Sequence, residues 1–241
     1  NRDAAFELMK LALSEARFDD EPVERIRNQI LVRLNRDLSQ PQSIASRTLF
    51  ENLFPGHPYG QPLRGTPETV AALTVDDLRS YLGKYLARDN LKIAVVGDIT
   101  ADELAPLLAD TFGVLPPTAA PTAVSEADVP ATSRLIVVER EQPQTVALFD
   151  GPGLKIDDPE FFPAYVMNYI LGGGGFSSRL MEEVREKRGL AYGVSTFLLP
   201  YDYGAAFLGN VATENERIAE SLDIIRAEMV RLRDEGVAAE E

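Results

Sequence analysis

Apolar residues along the first third of the chain recur at intervals of three and four, the spacing of one helix face. Phe6, Met9 and Leu13 share a face of a helix predicted over 1–17. Val23, Ile26, Ile30 and Leu34 continue the pattern over 22–38, where Pro22 is well placed as an early helical residue behind Asp20 and Glu21. A further helix is predicted from Pro41 to Leu53 behind a Ser39 cap, ending in the turn-rich Phe54-Pro-Gly-His-Pro-Tyr-Gly60. Another follows Thr74, whose Thr-Val-Asp-Asp run puts carboxylates where the helix dipole favours them. The period then changes. Leu91-Lys-Ile-Ala-Val-Val96 is a short β-branched run closed by Gly97-Asp98, and it predicts a strand.

Pro116, Pro117, Pro121 and Pro130 interrupt the next stretch, which can hold neither a helix nor a central strand, so 116–130 is the predicted linker between a first domain (1–115) and a second (131–241). Beyond it the pattern predicts strands near 134–140 and 144–150, a helix over 159–171 and a glycine loop at 172–175. A charged helix at 177–188, strands near 190–199 and 204–212, and a helix from 214 onward follow. Phe161, Phe162, Tyr165, Val166, Met167, Tyr169 and Ile170 surround the helix of 159–171, which predicts burial on every side. Thr100-Ala-Asp-Glu103 and Thr213-Glu-Asn-Glu216 both read as capping boxes after a strand. The echo favours a duplicated α+β unit.

Composition narrows the chemistry. A chain of 241 residues that is 45% hydrophobic can bury a proper core. With 24 basic against 38 acidic residues the net charge is −14, and no basic cluster is long enough to follow a phosphate backbone, so nucleic acid is an unfavoured partner. No apolar run approaches the roughly 20 residues of a membrane span. The absence of Cys excludes disulfides, thiolate nucleophiles and thiolate metal ligands while leaving the compartment open. The chain starts inside a predicted helix without an initiating Met and ends in the polar tail of 235–241, and it reads as part of a longer protein.

The most informative local sequence runs from Gly172 to Tyr192. Four glycines, Gly172, Gly173, Gly174 and Gly175, form either a joint between helices or a backbone that a ligand can approach closely. A phosphate loop fits poorly, because the residues before Gly172 read as helix and no Gly-Lys-Ser/Thr ending is present. On the charged helix Leu180, Met181 and Val184 can face a core while Glu182, Arg185 and Glu186 face outward, with Gly189 as terminator. Arg185 and Tyr192 then reach the same edge. They are either solvated surface residues, Arg185 paired with Glu182 or another acid, or joint donors to peptide carbonyls.

The run Leu171-Gly-Gly-Gly-Gly-Phe-Ser-Ser-Arg-Leu180 with Val184-Arg-Glu-Lys-Arg-Gly-Leu-Ala-Tyr-Gly-Val194 resembles the second-domain signature of the pitrilysin/insulinase/mitochondrial processing peptidase family of zinc metallopeptidases. Phe54-Pro-Gly-His-Pro-Tyr-Gly-Gln-Pro-Leu-Arg-Gly65, Thr74-Val-Asp-Asp-Leu78 and Val95-Val-Gly-Asp98 are similar to the back half of the family's first domain. The resemblance implies two related α+β domains, each an antiparallel sheet with helices packed on one face, the first incomplete. It also implies that Arg185 and Tyr192 contact substrate beside a partner's metal, with Gly172, Gly173, Gly174, Gly175, Phe176 and Ser177 binding peptide. Cleaving members carry His-x-x-Glu-His and a later Glu. This chain has one histidine, His57, in a turn that suits a structural role, and Arg33 stands about where the Glu belongs, so no metal is expected here. The implied partners are a homologous zinc-bearing peptidase subunit and a peptide; a homodimer of the isolated chain is compatible, and a purely structural scaffold is the alternative.

Overall fold

Helices dominate the first part of the chain in the computed structural model, which describes residues 1–130 and 133–238. They are α1 (Arg2–Ser14), α2 (Asp20–Asp37), α3 (Pro41–Leu53), α4 (Pro67–Ala72), α5 (Val75–Tyr85) and α6 (Ala101–Phe112). Side-chain caps set half of the starts, those of α4, α5 and α6. Thr74 caps α5 by accepting from Asp77 N–H while the Asp77 carboxylate accepts from Thr74 N–H, and Thr100 with Glu103 does the same for α6. α3 departs from expectation, because Gln40 occupies the cap and Pro41 opens the helix. The Ser39 hydroxyl instead donates to the carbonyl of Arg36 at 2.8 Å, at the end of α2.

The chain divides into two compact units that are not contiguous in sequence: Asn1–Asn35 with Gly65–Ala123, and Arg36–Arg64 with Val124–Glu241. In the first, Lys10 Nζ bonds Asp110 Oδ1 at 2.7 Å between α1 and α6, and Arg27 Nη1 donates to the carbonyl of Val70 at 2.6 Å. The strand expected at 91–96 does not form. These residues run without regular structure, with Ile93, Val95 and Val96 exposed. β-Propensity describes fit to a pleated surface, and no described residue offers this segment a ladder.

The second unit holds a three-stranded antiparallel sheet of β1 (Gln144–Pro152), β2 (Ala191–Tyr201) and β3 (Gly204–Glu214) in the order β1-β3-β2. The strand expected near 134–140 is likewise absent, and Leu135, Ile136, Val137 and Val138 are exposed for the same reason. Strand alternation sends side chains to two faces. Val194 and Val211 join Leu171, Leu180, Val184, Leu190, Ile225 and Leu232 in the main core, whereas Ala206 and Leu208 meet Leu53 and Phe54 on the opposite face. The α+β class is as expected, and α3 adds this smaller second cluster. There Tyr59 N–H donates to His57 Nδ1 (3.1 Å), so Nε2 carries the proton and donates to the carbonyl of Ser125 (2.9 Å). His57 is a buried structural clamp.

The helices on the main face are shorter and less regular than predicted. α7 (Phe161–Asn168) gives way to a π-helical turn, Tyr169–Gly173. It is not buried on every side: Phe162, Tyr165, Val166, Met167 and Tyr169 are all exposed. An apolar circumference says what a helix could bury, and here only one side finds a neighbour. The charged helix becomes a second π-helical turn, Met181–Glu186, in which Met181 and Val184 are buried as predicted, as is Leu180 just before it. The second capping box does not form. Thr213 is still inside β3, buried, with its hydroxyl donating to the carbonyl of Leu190, and α8 (Ile218–Glu235) starts after a 3-10 turn. The polar tail expected at 235–241 leaves the last turn of α8 at Gly236, and its final three residues lie outside the described ones.

Glu183 holds the second π-helical turn from within. Its buried carboxylate accepts from Lys187 Nζ at 2.7 Å and Arg188 Nη1 at 2.5 Å, while Arg188 also donates to the Glu183 carbonyl at 2.7 Å. The bond from Lys187, then that from Arg188, holds the carboxyl below its usual range. A folded value below the unfolded one stabilises the protein above the ordinary carboxylate pKa of about 4.3, and that contribution is lost as pH falls through the folded value. Glu183→Gln is expected to lower stability by about 1–3 kcal/mol at pH 7. Urea melts across pH should show the deficit shrinking below about pH 4.

Candidate functional site

Both singled-out side chains sit where a regular element takes in an extra residue. In the turn Met181–Glu186 the winding widens, and Lys187 N–H reaches the Glu182 carbonyl at 2.9 Å, five residues back. Arg185 lies in this turn. Gly189, at φ +60, then reverses the chain, a conformation that a side chain resists. In β2 the register steps from Ala191 opposite Thr213 to Gly193 opposite Ala212, which leaves Tyr192 as the extra residue of a β-bulge. Ala191 is buried and Tyr192 is 86% exposed, so the bulge re-aims one side chain out of the core.

The two irregularities bring Arg185 and Tyr192 together at one edge of the sheet. The Arg185 guanidinium carbon lies 5.0 Å from the centre of the Tyr192 ring and 4.6 Å from that of Phe176. Among the described residues its ion pair is with Glu186, Nε to Oε1 at 3.4 Å. Glu182 pairs with Lys187 at 3.0 Å and is not its partner. An open cleft of about 490 Å³ beside the pair is lined by Gln144, Arg185, Tyr192, Glu214 and Arg217 among others. A second basin of about 630 Å³ adjoins Tyr192 along Met181, Ser195, Asn210 and Gly175. The stacking of Phe176 on Arg185 and the inclusion of Arg217 in the cleft were not signalled by the sequence, since both depend on where separate turns meet.

The glycines are explained by packing more than by openness. A Cβ on Gly172 would stand 2.6 Å from Thr196 Oγ1 and 2.9 Å from Thr196 N in β2. On Gly173 it would meet Asn168 Nδ2 at 2.6 Å, and on Gly174 the carbonyl of Tyr169 at 2.7 Å. Gly175 differs, with open space around it and φ +63. Gly172 is buried, whereas Gly173, Gly175, Phe176 and Ser177 are exposed. The loop therefore seats closely on β2 and turns outward at Gly175. The Ser177 hydroxyl donates to the carbonyl of Gly174 at 3.2 Å, and that of buried Ser178 to Gly175 at 2.8 Å.

A crystal structure described as a peptidase M16 inactive domain, from Pseudomonas fluorescens, superposes with a TM-score of 0.93 at 29% identity, over 99% of this chain and 58% of that one. The family model for the peptidase M16 inactive domain matches residues 72–241, and the chain belongs to that family. It is 28% identical to an uncharacterized zinc protease of Streptomyces coelicolor over 235 residues, 95% of this chain and 51% of that protein. It is 27% identical to the non-peptidase homolog YmxG of Helicobacter pylori over 231 residues, 93% of this chain and 52% of that one. The chain thus spans about half the length of the curated relatives it matches.

The residues present do not fit the zinc that some relatives' names imply. The chain has one histidine and no cysteine, and both ring nitrogens of His57 are engaged. Among the described residues no group of three or more His, Cys, Asp or Glu side chains could hold a metal ion. Nor is any described helix long and apolar enough to cross a membrane. For the loop, Gly172→Ala is expected to cost about 1–3 kcal/mol through overpacking against Thr196. Gly175→Ala should cost about 1–2 kcal/mol through its left-handed backbone alone. Thermal melts of the two variants test this, and a Gly172→Ala protein as stable as wild type would contradict the close seating.

Proposed function

We propose that this chain is the non-catalytic, zinc-free part of a metalloendopeptidase, binding peptide and completing the active site of a homologous zinc-bearing partner subunit through Arg185 and Tyr192. The carrying observation is the placement of an exposed Tyr192 phenol beside a guanidinium that lies over aromatic rings at a sheet edge. Membership of the M16 inactive-domain family agrees with it. The metal chemistry belongs to the partner. In this chain Arg185 grips peptide carbonyls through its planar donors, while the Tyr192 O–H donates to the scissile or adjacent carbonyl oxygen as negative charge develops there. The exposed part of the loop, Gly173 and Gly175 to Ser177, lines the entry path, and an extended peptide gains affinity by adding along a sheet edge.

The second reading is a scaffold that kept the fold without a part in proteolysis, and the name of the Helicobacter relative as a non-peptidase homolog favours it. Nucleotide binding has no comparable support, since α7 and a π-helical turn precede the glycines where a phosphate loop needs a strand. Peptide hydrolysis by the full-length protein mixed with its partner subunit separates the first two. Tyr192→Phe is expected to lower kcat about a hundredfold, as removal of one oxyanion donor does. Arg185→Ala should raise KM about tenfold, through lost binding common to ground and transition states. Full rates in both variants would leave the scaffold reading standing alone.

A further inference from the structure

We infer that Phe176 is the positioning residue of this site, its ring holding the Arg185 guanidinium where its donors can meet a peptide backbone. The inference rests on the peptide-binding reading above and deepens it. Phe176 is a large apolar ring left 71% exposed, so it contributes little to the core. Its backbone is nevertheless well held. It sits in the 3-10 turn Gly175–Ser177, with the Ser177 and Ser178 hydroxyls that follow it donating back to the carbonyls of Gly174 and Gly175 that precede it. Ser178 is 1% exposed and anchors the turn to the interior. Gly175, at φ +63, directs the chain outward just before the ring.

What the ring meets is a side chain that needs holding. Arg185 has a long flexible stem, and its ion pair with Glu186 is a 3.4 Å contact to a carboxylate that is 58% exposed, a kind of pair that water and salt weaken. Left to itself the guanidinium would move among several rotamers about that carboxylate. Phe176 at 4.6 Å and Tyr192 at 5.0 Å present ring faces to it, and an aromatic quadrupole attracts a cation placed there. The N–H donors of a guanidinium lie in its own plane. The Phe176 ring therefore limits where the guanidinium can swing while the donors not paired with Glu186 remain available, so Phe176 acts through Arg185 and need not touch the peptide carbonyl itself.

The test has two arms. In ¹H–¹⁵N spectra of the full chain, the Arg185 Nε–H resonance is identified by its loss in Arg185→Lys. Phe176→Leu, which keeps an apolar side chain without a ring current, is expected to move that resonance toward its free position, and Phe176→Trp to keep it displaced. An unmoved resonance in Phe176→Leu would overturn the inference. In the complex with the partner subunit, an internally quenched nonapeptide is the probe. Phe176→Leu should raise KM about threefold to fivefold at constant kcat, and should have no further effect in an Arg185→Ala background. The same loss in both backgrounds would mean that the ring touches peptide directly, which overturns the positioning role. If Arg185→Ala leaves hydrolysis unchanged, the peptide contact assigned to Arg185 falls and takes this role with it; a normal Arg185→Ala loss beside an inert Phe176→Leu removes the positioning role alone.

Discussion

Burial of Leu180 and Val184 against the sheet is the constraint around which the rest of the second unit is arranged. Both side chains are wholly buried, and they share their cluster with Val194 of β2, Val211 of β3, and Ile225 and Leu232 of α8. Fully burying a Leu or Val is worth about 1.5–3 kcal/mol. That is enough to hold a turn in a winding that its own hydrogen bonds would not select. The π-helical turn follows from this. It keeps Leu180, Met181 and Val184 in the core and lets Arg185 emerge at the edge of the sheet, still only partly exposed.

The strand that follows solves a matching problem. Ala191, Val194 and Thr196 point inward, and an unbroken alternation from Ala191 would send Gly193 inward and Val194 outward. The bulge at Tyr192 absorbs one residue and puts Val194 opposite Val211 in the core. The exposed phenol is therefore the by-product of a register that packs correctly. Arg185 and Tyr192 meet because two elements each take in one residue more than regular geometry allows, and Gly189 closes the short path between them.

Electrostatics plays a local part in a chain of net charge −14. Glu183 is stabilised as a carboxylate because two cations reach it inside the fold, whereas burial pushes Glu228 up, only partly offset by Arg231. Because the two shifts have opposite directions, acid pH moves their contributions oppositely: Glu183 loses stabilising bonds and Glu228 loses the penalty of a desolvated charge. At the site itself the geometry relies less on charge. Ring centres 4.6 and 5.0 Å from the Arg185 carbon add cation–π attraction to the exposed pair with Glu186.

By itself the sequence determined the features that depend on neighbours a few residues away. The caps at Thr74 and Thr100, the full extent of α3, the three strands that found ladders, and the inward set Leu180, Met181 and Val184 were legible because spacing and capping are local. For Arg185 and Tyr192 the spacing placed both at one edge but left open whether they are surface residues or donors, and the resemblance to the family signature is what singled them out. Only the tertiary structure decided what required a partner. Residues 91–96 and 134–140 have strand composition and no ladder, α7 has an apolar circumference and one packed side, and Thr213 gave its hydroxyl to Leu190 instead of a helix end. The stacking of Phe176 on Arg185 belongs with these. It arises where a glycine turn, a widened helical turn and a bulged strand converge, and no periodicity along the chain encodes a meeting of three separate irregularities.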